Sequence, residues 1–211
     1  MTRVAVVGAT GAVGRTMMAL LAQREFPAEQ IVPFASQRSA GMELDGLKVS
    51  VLDERADLSG FDIALFSAGA STSRAWAGRF VDQGAVVIDN SSAFRRDPDV
   101  PLVVSEVNPH ALAGHRGVIA NPNCSTMQLM VALAPIHRAA GIERLVVSTY
   151  QSVSGTGQKA VAELDAQAHA SLHGEEMPAP ERVLEIGEPW RPHRSLASLY
   201  LWESLANAPV E

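Results

Sequence analysis

The stretch that most restricts what this chain can fold into is its beginning, "RVAVVGATGAVG", Arg3 to Gly14. A short apolar run with β-branched residues predicts a buried strand, and it ends directly in glycine. Gly8, Gly11 and Gly14 are spaced G-x-x-G-x-x-G, and "GAVGRTMMALLAQREF" continues with apolar residues at helical spacing. Strand, glycine turn and helix in that order form a cradle for a pyrophosphate. The glycines let the backbone approach it, and the helix N-terminus favours its negative charge. A glycine pattern alone is a weak signal, with a tight structural turn as the plain alternative. Here the flanking strand and helix favour a dinucleotide.

The rest of the chain repeats the alternation. "IVPFAS", "LKVSVLD", "DIALFSA" and "AVVIDN" predict strands, "VPLVVSEVN" and "GVIANPN" are strand-like, and "IERLVVSTYQSVSG" contains one more. Helices are predicted over "STSRAWAGRFVDQG", ending near Gly84, over "STMQLMVALAPIHRAAG", ending near Gly141, and over "GQKAVAELDAQAHASLHG". Strands alternating with helices predict an α/β fold, a Rossmann-like doubly wound parallel sheet. Near Gly174 the character changes to a proline-rich, charged stretch that reads as loop or disorder. Within "SLASLYLWESLANAPVE", Leu196, Leu199, Trp202 or Glu203, and Leu205 or Ala206 fall roughly at helical spacing, which predicts one short amphipathic helix.

Composition narrows the partners. The 211 residues are 47% hydrophobic with a formal net charge of −6, enough apolar content for a core. No Lys/Arg-rich run exists, which argues against nucleic acid and membrane surfaces. The start lacks a signal-peptide pattern and no run approaches a membrane span, so a cytoplasmic protein is expected. One cysteine forbids an internal disulfide. His169 and His173 sit four apart on a predicted helix, but the further ligands a zinc site needs are missing, so no metal is expected.

The second predicted strand runs into "SQRS". An NAD site usually places an acidic residue there for the ribose hydroxyls. Ser36, Arg38 and Ser39 suit the 2′-phosphate of NADP instead, because guanidinium and phosphate form charge-assisted bonds. The single thiol, Cys124 in "NPNCST", directly precedes a predicted helix, whose N-terminus stabilises a thiolate. A thiolate beside a nicotinamide points to acyl transfer coupled to hydride transfer. A buried packing cysteine is the alternative.

"GATGAVG", "SQRSAG", "DNSSAFR", "NPNCST" and "STYQSVSGTGQ" occur in this order and spacing in the aspartate-β-semialdehyde dehydrogenases, which this chain resembles over roughly its first 175 residues. The resemblance implies NADP-dependent reductive dephosphorylation of L-aspartyl 4-phosphate to L-aspartate 4-semialdehyde through a Cys124 thioester, with inorganic phosphate as the other ligand. It implies that Gly8, Thr10, Gly11, Ala12 and Val13 contact the cofactor's pyrophosphate region and that Ser36, Arg38 and Ser39 surround its 2′-phosphate. Ser154 and Gly155 lie toward the nicotinamide, Arg95 binds the substrate phosphate, and Gln151 positions the substrate beside Cys124. Asn123 orients or stabilises the thioacyl oxygen. N-acetyl-glutamyl-phosphate reductases share this chemistry but typically carry Gly-Cys after Asn-Pro; Asn123-Cys124-Ser125-Thr126 favours the aspartyl enzyme.

The resemblance also implies a longer chain, homodimeric in its full-length members. Their further part supplies a carboxylate-binding arginine and an acid–base histidine. Neither motif occurs here, and the roles are not carried onto His193, Arg191 or Arg194. The expected organisation is an NADP-binding domain over 1–122, the incomplete start of a catalytic domain over 123–175 and a divergent tail over 176–211, which a frameshift in the gene would explain. Acid–base catalysis by a placed histidine is worth about 10²–10⁴-fold. Little or no turnover is therefore expected from these residues alone. A catalytically silent NADP-binding or interaction module is the reading from another class.

Overall fold

The computed structural model describes residues 2–149, 152–156 and 158–173. They fall in two compact units, 1–146 and 147–211. The first holds strands β1 (Thr2–Val7), β2 (Ala28–Ala35), β3 (Glu43–Leu44), β4 (Leu47–Lys48), β5 (Ser50–Val51), β6 (Ile63–Phe66), β7 (Val86–Asp89) and β8 (Val118–Ala120). Its helices are α1 (Ala12–Gln23), α2 (Ala70–Asp82) and α3 (Cys124–Ala140). The second holds a short 3-10 turn, Val153–Thr156, and α4 (Gln158–His173).

Six strands form one parallel sheet in the order β5-β2-β1-β6-β7-β8. The chain winds outward from β1 through β2 to β5, then crosses back to β6 and winds the other way. The doubly wound sheet expected from the alternation is therefore present, with its topological switch between β1 and β6.

The apolar run of β1 fits a central strand covered on both faces. Val4 and Val6 pack with Met18 of α1, Leu44 and Val49. Ala5 and Val7 face the opposite layer, with Phe34, Phe61, Phe66, and Ala77 and Phe80 of α2. Phe80 sits edge-on to Phe66 at 5.4 Å and to Phe34 at 5.9 Å, the aromatic geometry that adds to area burial.

Three predicted strands differ. "LKVSVLD" splits in two: Leu47–Lys48 pairs antiparallel with β3 through an Asp45–Gly46 turn, both residues at positive φ, while Ser50–Val51 joins β2. "VPLVVSEVN" makes only a bridge, Leu102 to Ala120. The Asn108 side chain interrupts the ladder, accepting from Val104 N–H at 2.8 Å and donating to Leu102 O at 3.0 Å. Residues 142–149 form no strand; among the described residues nothing pairs with them, and Val146 is 76% exposed. The expectations for 174–211 lie outside the described residues.

Candidate active site

Because all six strands are parallel, their carboxyl ends share one edge of the sheet, and the loops leaving that edge carry the predicted motifs. After β1, the amides of Gly8 and Ala9 donate to Phe34 O at 2.9 and 3.1 Å, tying the glycine loop to the end of β2. Gly11 N–H closes the turn onto Gly8 O at 3.0 Å, and Arg15 Nε holds Thr10 O at 3.1 Å. Gly8 has φ +87°, and a Cβ there would lie 2.8 Å from the Ser67 carbonyl group. A Cβ on Gly14 would strike the Gly8 carbonyl oxygen. The cradle thus depends on the missing side chains and opens at the switch point, where such folds take dinucleotides. Ala12 and Val13 form the exposed start of α1.

After β2 comes a 3-10 turn, Gln37–Ser39, preceded by Ser36. Thr10 Oγ1 and Ser39 Oγ are 3.2 Å apart, so the turn and the glycine loop meet. Ser36 and Arg38 are exposed on that turn. The residues present fit a dinucleotide: glycines that leave room for the pyrophosphate, with Arg38 and Ser39 on the adjoining turn.

The thiol lies at the same edge. Cys124 is the first residue of α3 and is exposed. Asn123 is the N-cap: its Oδ1 accepts from Ser125 N–H at 3.0 Å and from Ser125 Oγ at 2.6 Å, with Cys124 Sγ at 3.9 Å. These donors fix the amide orientation and turn its NH2 end away from the cap. The sulfur therefore sits at the positive end of a 17-residue helix.

Arg95 spans two loop ends. Its Nε donates to Asn121 O at 2.8 Å and its Nη2 to Asn90 O at 3.0 Å, joining the exits of β8 and β7. Partial burial lowers its pKa, while the charges of Asp89 and Cys124 act the other way. Behind it lies Asp89, which sequence reasoning missed. It is fully buried and accepts from Ser73 Oγ at 2.6 Å, Ser91 Oγ at 2.7 Å and Ser91 N–H at 3.1 Å. In the sequence Asp89 closes the apolar run "AVVIDN" and opens the "DNSSAFR" motif, neither of which assigns it a role.

The first unit thus brings together Gly8, Thr10, Gly11, Ala12, Val13, Ser36, Arg38, Ser39, Arg95, Asn123 and Cys124 along one sheet edge. Gln151 lies outside the described residues. Ser154 and Gly155 fall in the 3-10 turn of the second unit. Among the described residues no cluster of three or more His, Cys, Asp or Glu is placed to hold a metal, and no helix is long and apolar enough to cross a membrane.

Comparison with known proteins agrees with this geometry. The family "Semialdehyde dehydrogenase, NAD binding domain" matches residues 3–115, and "Semialdehyde dehydrogenase, dimerisation domain" matches 133–194, reaching into the segment beyond 176. Aspartate-semialdehyde dehydrogenase of Aquifex aeolicus is 54% identical over 186 residues, covering 85% of this chain and 55% of the relative. The crystal structure of aspartate semialdehyde dehydrogenase II of Vibrio cholerae, complexed with ASA, superposes with TM-score 0.77 at 49% identity, covering 85% and 55%. The Candida albicans enzyme, solved with NADP, gives 0.52 at 27% identity, covering 67% and 48%. This chain spans about half the length of the curated relatives it matches. Matched by the family's own dinucleotide-domain profile and this similar to its aspartate-semialdehyde members, the chain belongs to the semialdehyde dehydrogenase family.

Proposed function

We propose that this chain carries the NADP-binding and thiol-bearing part of an aspartate-semialdehyde dehydrogenase. One observation carries the reading: the glycine cradle, the Arg38 turn and the Arg95–Cys124 pair of loops leave the same edge of one parallel sheet. Cys124 Sγ attacks the acyl carbon of L-aspartyl 4-phosphate, and phosphate leaves toward Arg95, forming a thioester. The Asn123 amide NH2 steadies the thioacyl oxygen. NADPH, when bound, supplies the hydride that releases L-aspartate 4-semialdehyde. Gln151 positions the substrate, and Ser154 and Gly155 contribute on the nicotinamide side. NADP rather than NAD rests on Arg38 and Ser39 following β2 with no acidic residue between. A cytoplasmic, homodimeric full-length enzyme is part of the same reading.

The glycine cradle and the Arg38 turn need no thiol, which favours one other reading, an NADP-binding module without turnover. The deciding assay is phosphate-dependent reduction of NADP by L-aspartate 4-semialdehyde, with Cys124→Ala as control. A slow reduction, well below that of a full-length relative and abolished in the control, is expected. A folded chain that binds NADP yet gives no cysteine-dependent reduction would leave the silent module standing.

A further inference from the structure

We propose that Asp89 is a positioning residue for the thiol site: anchored by Ser73 and Ser91, it holds the turn that sets Arg95 against the loop carrying Cys124. The inference rests on the reading above, in which phosphate leaves Cys124 toward Arg95; the charges of Arg95 and Cys124 act on each other.

Asp89 and Ser73 are both fully buried and bond to each other across α2 and β7. A carboxylate withdrawn from water is costly unless donors surround it, and packing alone would be served by an apolar residue. Its bonds lead in one direction. Both carboxylate oxygens are engaged by Ser91, whose Oγ in turn accepts from Ala93 N–H at 3.1 Å, two residues before Arg95. The main chain of Asp89 leads to the other side: its carbonyl accepts from Asn121 N–H at 2.8 Å. Asp89 therefore fixes both loops that the Arg95 guanidinium then joins, at Asn90 O and Asn121 O. Its charge also favours the charged guanidinium.

Because Cys124 is the chain's only thiol, its alkylation reads this site alone. Iodoacetate and iodoacetamide react with the same thiolate by displacing iodide. At one pH the ratio of their rates cancels the thiolate fraction and reports the positive charge beside the sulfur. Arg95→Met is expected to lower that ratio roughly threefold to fivefold, the scale of one charge a few ångströms away in water. Asp89→Asn and Ser91→Ala are expected to lower it toward the Arg95→Met value while the chain stays folded. Should Asp89→Asn not fold, Ser91→Ala, which removes one hydroxyl, decides alone. A parental ratio in these variants, with a lowered one in Arg95→Met, overturns the positioning role and leaves the reading of Arg95 intact. An unchanged ratio in Arg95→Met overturns both.

Discussion

At the residue scale, two glycines in helices show how context reverses a propensity. Alanine is the better helix former by about 1 kcal/mol. Gly78 is exposed in α2, and a Cβ there would meet nothing within 4 Å. Gly78→Ala should therefore stabilise the chain by about 0.4–1 kcal/mol. Gly14 is buried in α1, and its Cβ would strike the Gly8 carbonyl oxygen and lie 2.7 Å from Ala9 Cα, backbone that cannot step aside without opening the cradle. Gly14→Ala should cost about 1–3 kcal/mol and weaken dinucleotide binding. Denaturant unfolding with a cofactor titration checks the pair; equal effects of one sign would contradict it. The need for Gly14 was legible in the sequence, because close approach leaves a spacing. The role of Asp89 was not. A carboxylate at a strand end is unremarkable until the fold brings Ser73 of α2 against it.

At the scale of elements, α3 shows what local chemistry decides. The sequence predicts the helix from Ser125, with Ser or Thr in its first turn. The structure starts it one residue earlier, because Asn123 is the better cap and satisfies the Ser125 amide. The change matters: Cys124 becomes the first helical residue rather than the last of a loop. Asn123→Ala should cost about 1 kcal/mol. Asn123→Asp keeps an accepting oxygen and adds charge favourable to the dipole, so it should retain the stability. If the amide NH2 also steadies the thioacyl oxygen, Asn123→Asp should still lose thioester formation, seen as mass added to Cys124. Stability lost in both variants would remove Asn123 as the cap. Helices and buried central strands were readable from their own residues. The strands misjudged were those decided by partners elsewhere: Asn108 ends the run after Pro101, and residues 142–149 find no ladder among the described residues. The Asp45–Gly46 hairpin had its turn signal in plain sight, but two-residue strands are too short to carry a period.

For the whole molecule, the distribution of apolar surface is uneven. The sheet and its first two helices share two buried clusters, which take in Phe34, Phe61, Phe66, Phe80 and Met18. By contrast, none of the residues of α3 is buried, although the helix carries Met127, Leu129, Met130, Val131, Leu133 and Ile136. Ile136 is 55% exposed, and beyond the helix Leu145, Val146 and Val147 are 48%, 76% and 46% exposed. A helix apolar on so much of its circumference is built to be covered. The dimerisation-domain match beginning at 133 falls on this same stretch. The chain should therefore enhance the fluorescence of an apolar dye and associate as its concentration rises. Ile136→Lys combined with Val146→Lys should reduce both effects several-fold while leaving the unfolding transition of the sheet in place. That separation follows from the burial pattern: neither residue belongs to the two clusters that hold the sheet together. A chain that binds no dye and stays monomeric would mean the face is already covered. In that case the double lysine substitution should instead unfold it, so a single melting curve distinguishes an open surface from a hidden core.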